Sequence, residues 1–234
     1  ALRELIASEQ AVAAFSGHPF TVNTAGLGQA SPAAATSTPS VQVVTEGKIA
    51  QAIEAALSSV GPGDTVNIAA FYLSDRKLLT AVQEAARRGA TCRVILDPNR
   101  DAFGRRKDGL PNRPVGAELM LRSSSRLLVR WFDTHGEQAH VKMVVIRRAD
   151  GSATLITGSA NFTKRNLRDL NLETDVVVRG SAETPALKRA ALLFDQLWNN
   201  TGGHYTTEYA AYRDESLWQH LRYRTMERTG LSSW

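Results

Sequence analysis

The stretch His140-Val-Lys142-Met-Val-Val-Ile-Arg147, followed by Gly158-Ser159-Ala160-Asn161-Phe162-Thr163 and then Glu173, decides the reading of this chain. Side chains two apart in a strand share a face. His140 and Lys142 are therefore expected side by side, with Val141, Met143 and Val145 turned into apolar packing. An imidazole and an ammonium on an otherwise apolar strand are costly unless an anion sits between them. Ser159 and Asn161 come at the end of the next strand, where Gly158 permits a sharp departure from strand geometry and both side chains can donate to the same anion. Glu173 stands just before a further strand, where a carboxylate can orient an imidazole and stabilise its charged form. Each piece alone is common; the ordered set is specific to an anion site.

Outward from that stretch, strands and helices alternate. Residues 41–44 read as a strand, and Thr45 caps an apolar-striped helix over 47–60 that Gly61-Pro-Gly63 stops. Residues 65–73 form a strand, Ser74-Asp75 caps a helix over 76–88, and 91–96 form the next strand. This spacing predicts βαβ units and a sheet with helices on both faces. The segment 97–113 is too polar for core and long enough to be functional. A helix over 115–124 and a strand over 127–132 come next. Strands over 140–147 and 154–157 are joined by a turn at Ala149-Asp-Gly151. A strand over 174–179, a helix over 185–199 and a last helix over 214–228 complete the pattern. Three regions are expected: residues 1–40 as a helix (2–15) and a charge-poor connector (21–40), 41–202 as the main domain, and 203–234 as a helical tail.

Bulk properties bound the function without choosing it. The chain has 234 residues, 43% hydrophobic and 22% charged, so a real core is expected. The net charge of +5 suits a polyanion, nucleic acid or an acidic membrane surface, and equally a basic enzyme with no such partner. Cys92 is the single cysteine; it excludes an intrachain disulfide and a cysteine-based zinc site, and reads as a small core residue. No apolar run approaches the roughly 20 residues that cross a bilayer, and no signal peptide is seen. A cytoplasmic or membrane-peripheral location is expected rather than an integral one.

The constellation resembles the phospholipase D superfamily. His140-x-Lys142 is similar to the start of its signature motif, and Gly158-Ser159-x-Asn161-Phe162-Thr163 and Glu173 are similar to the residues downstream of that start. The likeness extends upstream through Phe71-Tyr72-Leu73 and the 91–97 strand, and covers roughly 41–199. It implies an α/β fold, an α-β-α sandwich around a central mixed sheet. It implies a two-step phosphodiester reaction with no metal and no cofactor, through a phosphohistidine. Lys142, Ser159 and Asn161 would neutralise the phosphoryl oxygens, and His140, Lys142 and Glu173 would be the catalytic set.

Two departures stand out. The family's motif aspartate falls at Arg147, with Asp150 nearby but out of register, and the second His-x-Lys motif is missing. His18, His135, His204 and His220 all lack the motif context. The site must therefore be completed from outside the segment: by a second lobe in the same protein, which the Ala1 start and the 1–40 region favour, or by a second copy in a homodimer. As a second lobe, His140 would be the leaving-group acid; in a symmetric dimer either copy could attack. Glu173 could serve the partner site.

A phospholipid phosphodiesterase or phosphatidyltransferase is the expected function. The 97–113 loop and the aromatic tail (Tyr205, Tyr209, Tyr212, Trp218, Tyr223) then meet either a membrane interface or the chain's own core. The alternatives are a dimeric nuclease of the same superfamily and a non-catalytic phosphate-binding lobe.

Overall fold

Strands with period-two alternation and helices with one apolar stripe build a single large sheet covered on both faces. The computed structural model describes residues 2–23, 25, 38–102, 105–121, 125–214 and 216–229. In chain order, α1 (Leu2–Phe15), β1 (Ser40–Thr45), α2 (Gly47–Ser58), β2 (Thr65–Ala70), α3 (Arg76–Arg87) and β3 (Thr91–Leu96) form the first half. A two-residue ribbon, β4 (Asp101–Ala102) and β5 (Arg105–Arg106), precedes α4 (Asn112–Leu121) and β6 (Leu127–Phe132). Then come β7 (Lys142–Arg147), β8 (Ser152–Gly158), α5 (Lys164–Leu167), β9 (Thr174–Ser181) and α6 (Pro185–Asn199). β10 (Thr206–Glu208), a 3-10 turn (Tyr209–Tyr212) and α7 (Leu217–Thr229) close the chain. Most of the connector expected at 21–40, Gly104, and the end of the helix expected at 115–124 lie outside the described residues.

Among the described residues the main sheet has eight strands in the order β1-β9-β8-β7-β2-β3-β6-β10. β2, β3 and β6 are parallel neighbours and the remaining pairs are antiparallel, so the sheet is mixed. The β2-α3-β3 and β3-α4-β6 connections are βαβ units. β1 differs from the simple reading: it pairs with β9 at one edge of the sheet, with β9, β8 and β7 between it and β2. The opposite edge strand, β10, comes from the segment after Gly202, which is therefore not helical throughout.

Alternation divides the strands between two cores. Val66, Ile68, Cys92, Val94, Val144, Ile146 and Ile156 face α2, α3 and α4 in the larger one. Ala69, Ile95, Met143 and Val145 face Ala190, Ala191 and Phe194 of α6 in the smaller one. The α-β-α sandwich is the result. α3 starts where Asp75 accepts the Leu78 amide at 3.0 Å, a cap worth about 1 kcal/mol. Cys92 is fully buried, and burial pushes its thiol up to about 12, which suits a packing role. α1 buries none of its side chains and touches the edge through Glu4, which accepts the Val43 amide. No described helix is long and apolar enough to cross a membrane.

Candidate active site

Strand register brings the pieces together. Met143 pairs with Thr157 and Gly158 pairs with Asp175, so one step further along β7 Lys142 lies opposite Gly158. Lys142, Gly158 and Asp175 thus form a row across three strands. Ala70 of β2 pairs with Lys142 on its other side. The row sits at the edge of the sheet where β2 and β3 end, with the adjoining loops gathered around it.

His140 lies just before β7 rather than within it, with its amide bonded to Gln138 O at 3.1 Å. The expected pairing still forms. The Lys142 ammonium stands 3.1 Å from Nδ1 and 3.2 Å from Nε2 of the ring. The imidazole also packs on Phe71, with centroids 4.8 Å apart, while the residue as a whole faces solvent. Desolvation of the ring and then the Lys142 charge hold His140 below the ordinary histidine value of 6.5. A neutral ring keeps one nitrogen lone pair free. Burial also pushes Lys142 down, against the opposing pull of Glu173 and Asp175. The residue that carries this charge is 4% exposed.

The Ser159–Thr163 loop is fastened on both sides. Phe162 donates its amide to Tyr72 O at 3.0 Å, and its carbonyl accepts from Ser74 and Asp75 at 2.8 and 3.0 Å. Its ring is fully buried. Ser159 Oγ donates to Glu173 Oε2 at 2.5 Å and accepts the Thr174 amide at 3.0 Å. Asn161 Oδ1 is buried without a hydrogen-bond partner. A half-turn of the amide would present its N–H groups there instead.

Glu173 makes no hydrogen bond to His140 within the chain. Its oxygens are held by Ser159, by Asn166 Nδ2, and by Asn171 Nδ2 at 2.9 Å. Asn166 is itself held by Thr163 Oγ1 at 2.8 Å. The carboxylate thus braces the loop it was expected to work beside. Its charge reaches Lys142 through space, as the upward pull on that ammonium records.

Asp175 is the residue that sequence reasoning missed. It is 0% exposed; Oδ1 accepts the Ala160 amide at 3.1 Å and Oδ2 has no partner. Burial first, and the Glu173 charge beside it, push it up to about 6 against the opposing Ala160 amide and Lys142. This carboxylate also explains Gly158. A Cβ there would collide with Asp175 Oδ1 and Thr174 O. Gly158 is the last residue of β8 and has no left-handed φ, so the glycine is needed for space rather than for a sharp departure from strand geometry.

The 97–113 segment supports the same edge. Buried Asp97 accepts the Ala139 amide at 2.7 Å with Oδ2 and the Asn99 amide at 2.6 Å with Oδ1, so it holds the segment that carries His140. Asn112 donates to Phe71 O and Asp97 O at 2.7 and 2.8 Å. Lys107 donates to Tyr72 OH at 2.6 Å, beside the Phe71 ring that carries the imidazole.

Several sequence candidates lie elsewhere. Arg147 is exposed at the far end of β7, about 17 Å along the strand from Lys142. Asp150 caps its own turn through the Ser152 amide. His204 and His135 flank Asp133 at 2.5 and 3.7 Å on an exposed corner. His220 packs against Tyr223, and His18 is exposed beyond α1. Most tail aromatics cover the core: Tyr223 is fully buried, and Tyr209 and Tyr212 pack on Trp131. Among the described residues no three His, Cys, Asp or Glu side chains are placed to hold a metal ion.

Against known families, residues 49–198 match the model described as cardiolipin synthase, PLD-like domain. No curated protein sequence matches the chain. The fold is similar to Nuc from Salmonella typhimurium, a phospholipase D family member, at 21% identity and a TM-score of 0.54 over 69% of this chain and 95% of that one. NucT from Helicobacter pylori is similar at 16% identity and a TM-score of 0.52, over 69% and 97% of the two chains. Phosphatidylserine synthase from Haemophilus influenzae Rd KW20 is similar at 15% identity and a TM-score of 0.52, over 82% of this chain but only 46% of that one. At these identities the likeness is one of fold.

Proposed function

The chain belongs to the phospholipase D superfamily through its PLD-like domain, residues 49–198, and from that premise we propose that it is a phospholipid-directed phosphodiesterase or phosphatidyltransferase. His140 and Lys142 supply one half-site, and a second His-x-Lys half-site comes from another lobe or a second copy. The observation that carries this reading is the ammonium of Lys142 lying 3.1 and 3.2 Å from both nitrogens of His140. Two such groups on one edge attract a phosphoryl oxygen and leave an imidazole lone pair beside the phosphorus. The family's description as a cardiolipin synthase, PLD-like domain supports phospholipid as the substrate class.

In the first step an imidazole nitrogen bonds to phosphorus as the phosphorus–oxygen bond to the leaving group breaks. The second half-site's imidazolium gives its proton to that leaving oxygen. In the second step the oxygen of water or an alcohol attacks phosphorus. Its proton passes to the now neutral second imidazole, and the phosphorus–nitrogen bond breaks. Lys142 offsets the charge that builds on the non-bridging oxygens. Burial and the Lys142 charge favour the neutral ring, the form that His140 needs in order to attack. The motif occurs once, so the proton donor must come from the second half-site.

The test is turnover of phosphatidylcholine, phosphatidylglycerol and plasmid DNA, each with chelator present, in wild type and His140→Ala. Lipid turnover that falls on the order of 10³-fold or more in the variant supports the reading. Turnover untouched by the substitution overturns the mechanism, and cleavage of DNA alone overturns the substrate class.

A further inference from the structure

The outer face of α7 joins an apolar row to a basic cleft. Leu217, Trp218 and Leu221 are 86%, 72% and 58% exposed, although the same helix buries Tyr223 and Glu227 on its inner side. Leu217 and Leu221 are one turn apart and Trp218 lies beside them, so the three form one patch. One turn further on, Leu221, Arg224 and Arg228 line a cleft of about 950 Å³ against Lys77 of α3 and Lys164 of α5. Lys77, Lys164 and Arg228 have no ion-pair partner among the described residues, whereas Arg224 is drawn to Glu118 at 3.7 Å. The single acidic residue of α7, Glu227, is turned inward, where it accepts from Ser74 Oγ and from the Lys164 amide. Glu227 and Asp75 both line the cleft but are buried, at 4% and 3% exposed, so the exposed charges of α7 are cationic.

Position ties this face to the site edge. Lys164 comes directly after the Ser159–Thr163 loop, and Arg222 of α7 pairs with Asp108 at 2.5 Å, next to Lys107. A surface docked on α7 therefore lies beside the loops that surround His140.

We propose that the α7 face is a membrane-docking surface for anionic lipid, with Leu217, Trp218 and Leu221 inserted at the headgroup boundary and Lys77, Lys164 and Arg228 against the lipid phosphates. The charge is complementary to an anionic surface, and an indole with leucines beside arginines suits an interface that is apolar on one side and wet on the other. Phosphate groups on a nucleic acid would use the cations but leave the apolar row in water. The proposal does not depend on the chemistry at His140, since binding is read without turnover.

The experiment is sedimentation of the full chain with phosphatidylcholine vesicles, with and without phosphatidylglycerol. Two exposed-face variants, Trp218→Ala/Leu221→Ser and Lys77→Glu/Arg228→Glu, are compared, with circular dichroism reporting the fold. Binding is expected only with phosphatidylglycerol. It should fall on the order of tenfold in the first variant, and by about fivefold or more per removed cation in the second. Hydrolysis of a short-chain, monomeric phosphodiester should stay within about twofold in both, which separates this surface from the site itself. Four outcomes overturn the proposal. The first is no preference for the anionic vesicles, and the second is binding that both variants leave intact. The third is a self-association in sedimentation velocity that disappears with Trp218→Ala. The fourth is duplex DNA that displaces the vesicles and binds independently of Trp218.

Discussion

The two ends of β7 both carry a cation, and the surroundings give them opposite roles. Lys142 is almost fully buried, stacked against an imidazole and faced by two carboxylates across Gly158. Arg147 is exposed beside a turn, and its neighbour Arg148 directs its donors to the Ser59 and Ala56 carbonyls of the adjoining helix end. At one end desolvation makes every charge felt by its neighbours; at the other, water screens it. The departure from the family motif at Arg147 thus falls where charge matters least, while the elements the motif shares cluster at Lys142.

Breaking the buried end should have the largest effect. Lys142→Met is expected to lower kcat/KM by on the order of 10²–10³-fold. It should also raise the acidic limb of the pH profile, because the ammonium that disfavours the imidazolium is gone. A limb that stays in place or moves down would contradict the coupling. Gly158→Ala comes next. The added methyl meets Asp175 Oδ1 and Thr174 O, so unfolding in urea should show a loss of about 1–3 kcal/mol or more.

Asp175→Asn sharpens the comparison through pH. Asp175 is raised from 3.8 to about 6 by burial, so between those values the native state holds a proton that the unfolded chain releases. Wild-type stability should therefore fall as pH rises through that window, by on the order of 3 kcal/mol, and level off above it. The asparagine variant should lose this slope, as urea titrations at stepped pH would reveal. Arg147→Asp, which restores the family's acid, should have the smallest effect, within about 0.5 kcal/mol in stability and about twofold in turnover. A large gain in turnover would mean that the far end of β7 communicates with the site.

The reach of the sequence divides along the same line. His140 and Lys142 were legible because their spacing alone puts them together, and the glycine, serine and asparagine because they come after them in order. Asp175 was hidden in Thr-Asp-Val-Val-Val, which reads as an ordinary strand. The available signal was its phase: Asp175 and Val177 alternate inward together, both fully buried. The bonds of Glu173 to Asn166 and Asn171 depend on how the 164–172 loop folds back, which no local pattern states. The edge position of β1 was likewise out of reach, since its partner β9 lies far along the chain and only the completed sheet selects it. Thr45, which the sequence reads as a helix cap, is instead the last residue of β1, and Glu46 precedes α2 without a side-chain cap bond.

Phe162, with its ring in the core and its peptide groups bonded to Tyr72, Ser74 and Asp75, makes the Ser159–Thr163 loop part of the scaffold. Its amide proton should exchange with solvent only on global opening, at the slow rate of the central strands. An anion arriving here then meets a preformed receptor, so the ordering cost of binding falls on the ligand and on whatever brings the second half-site.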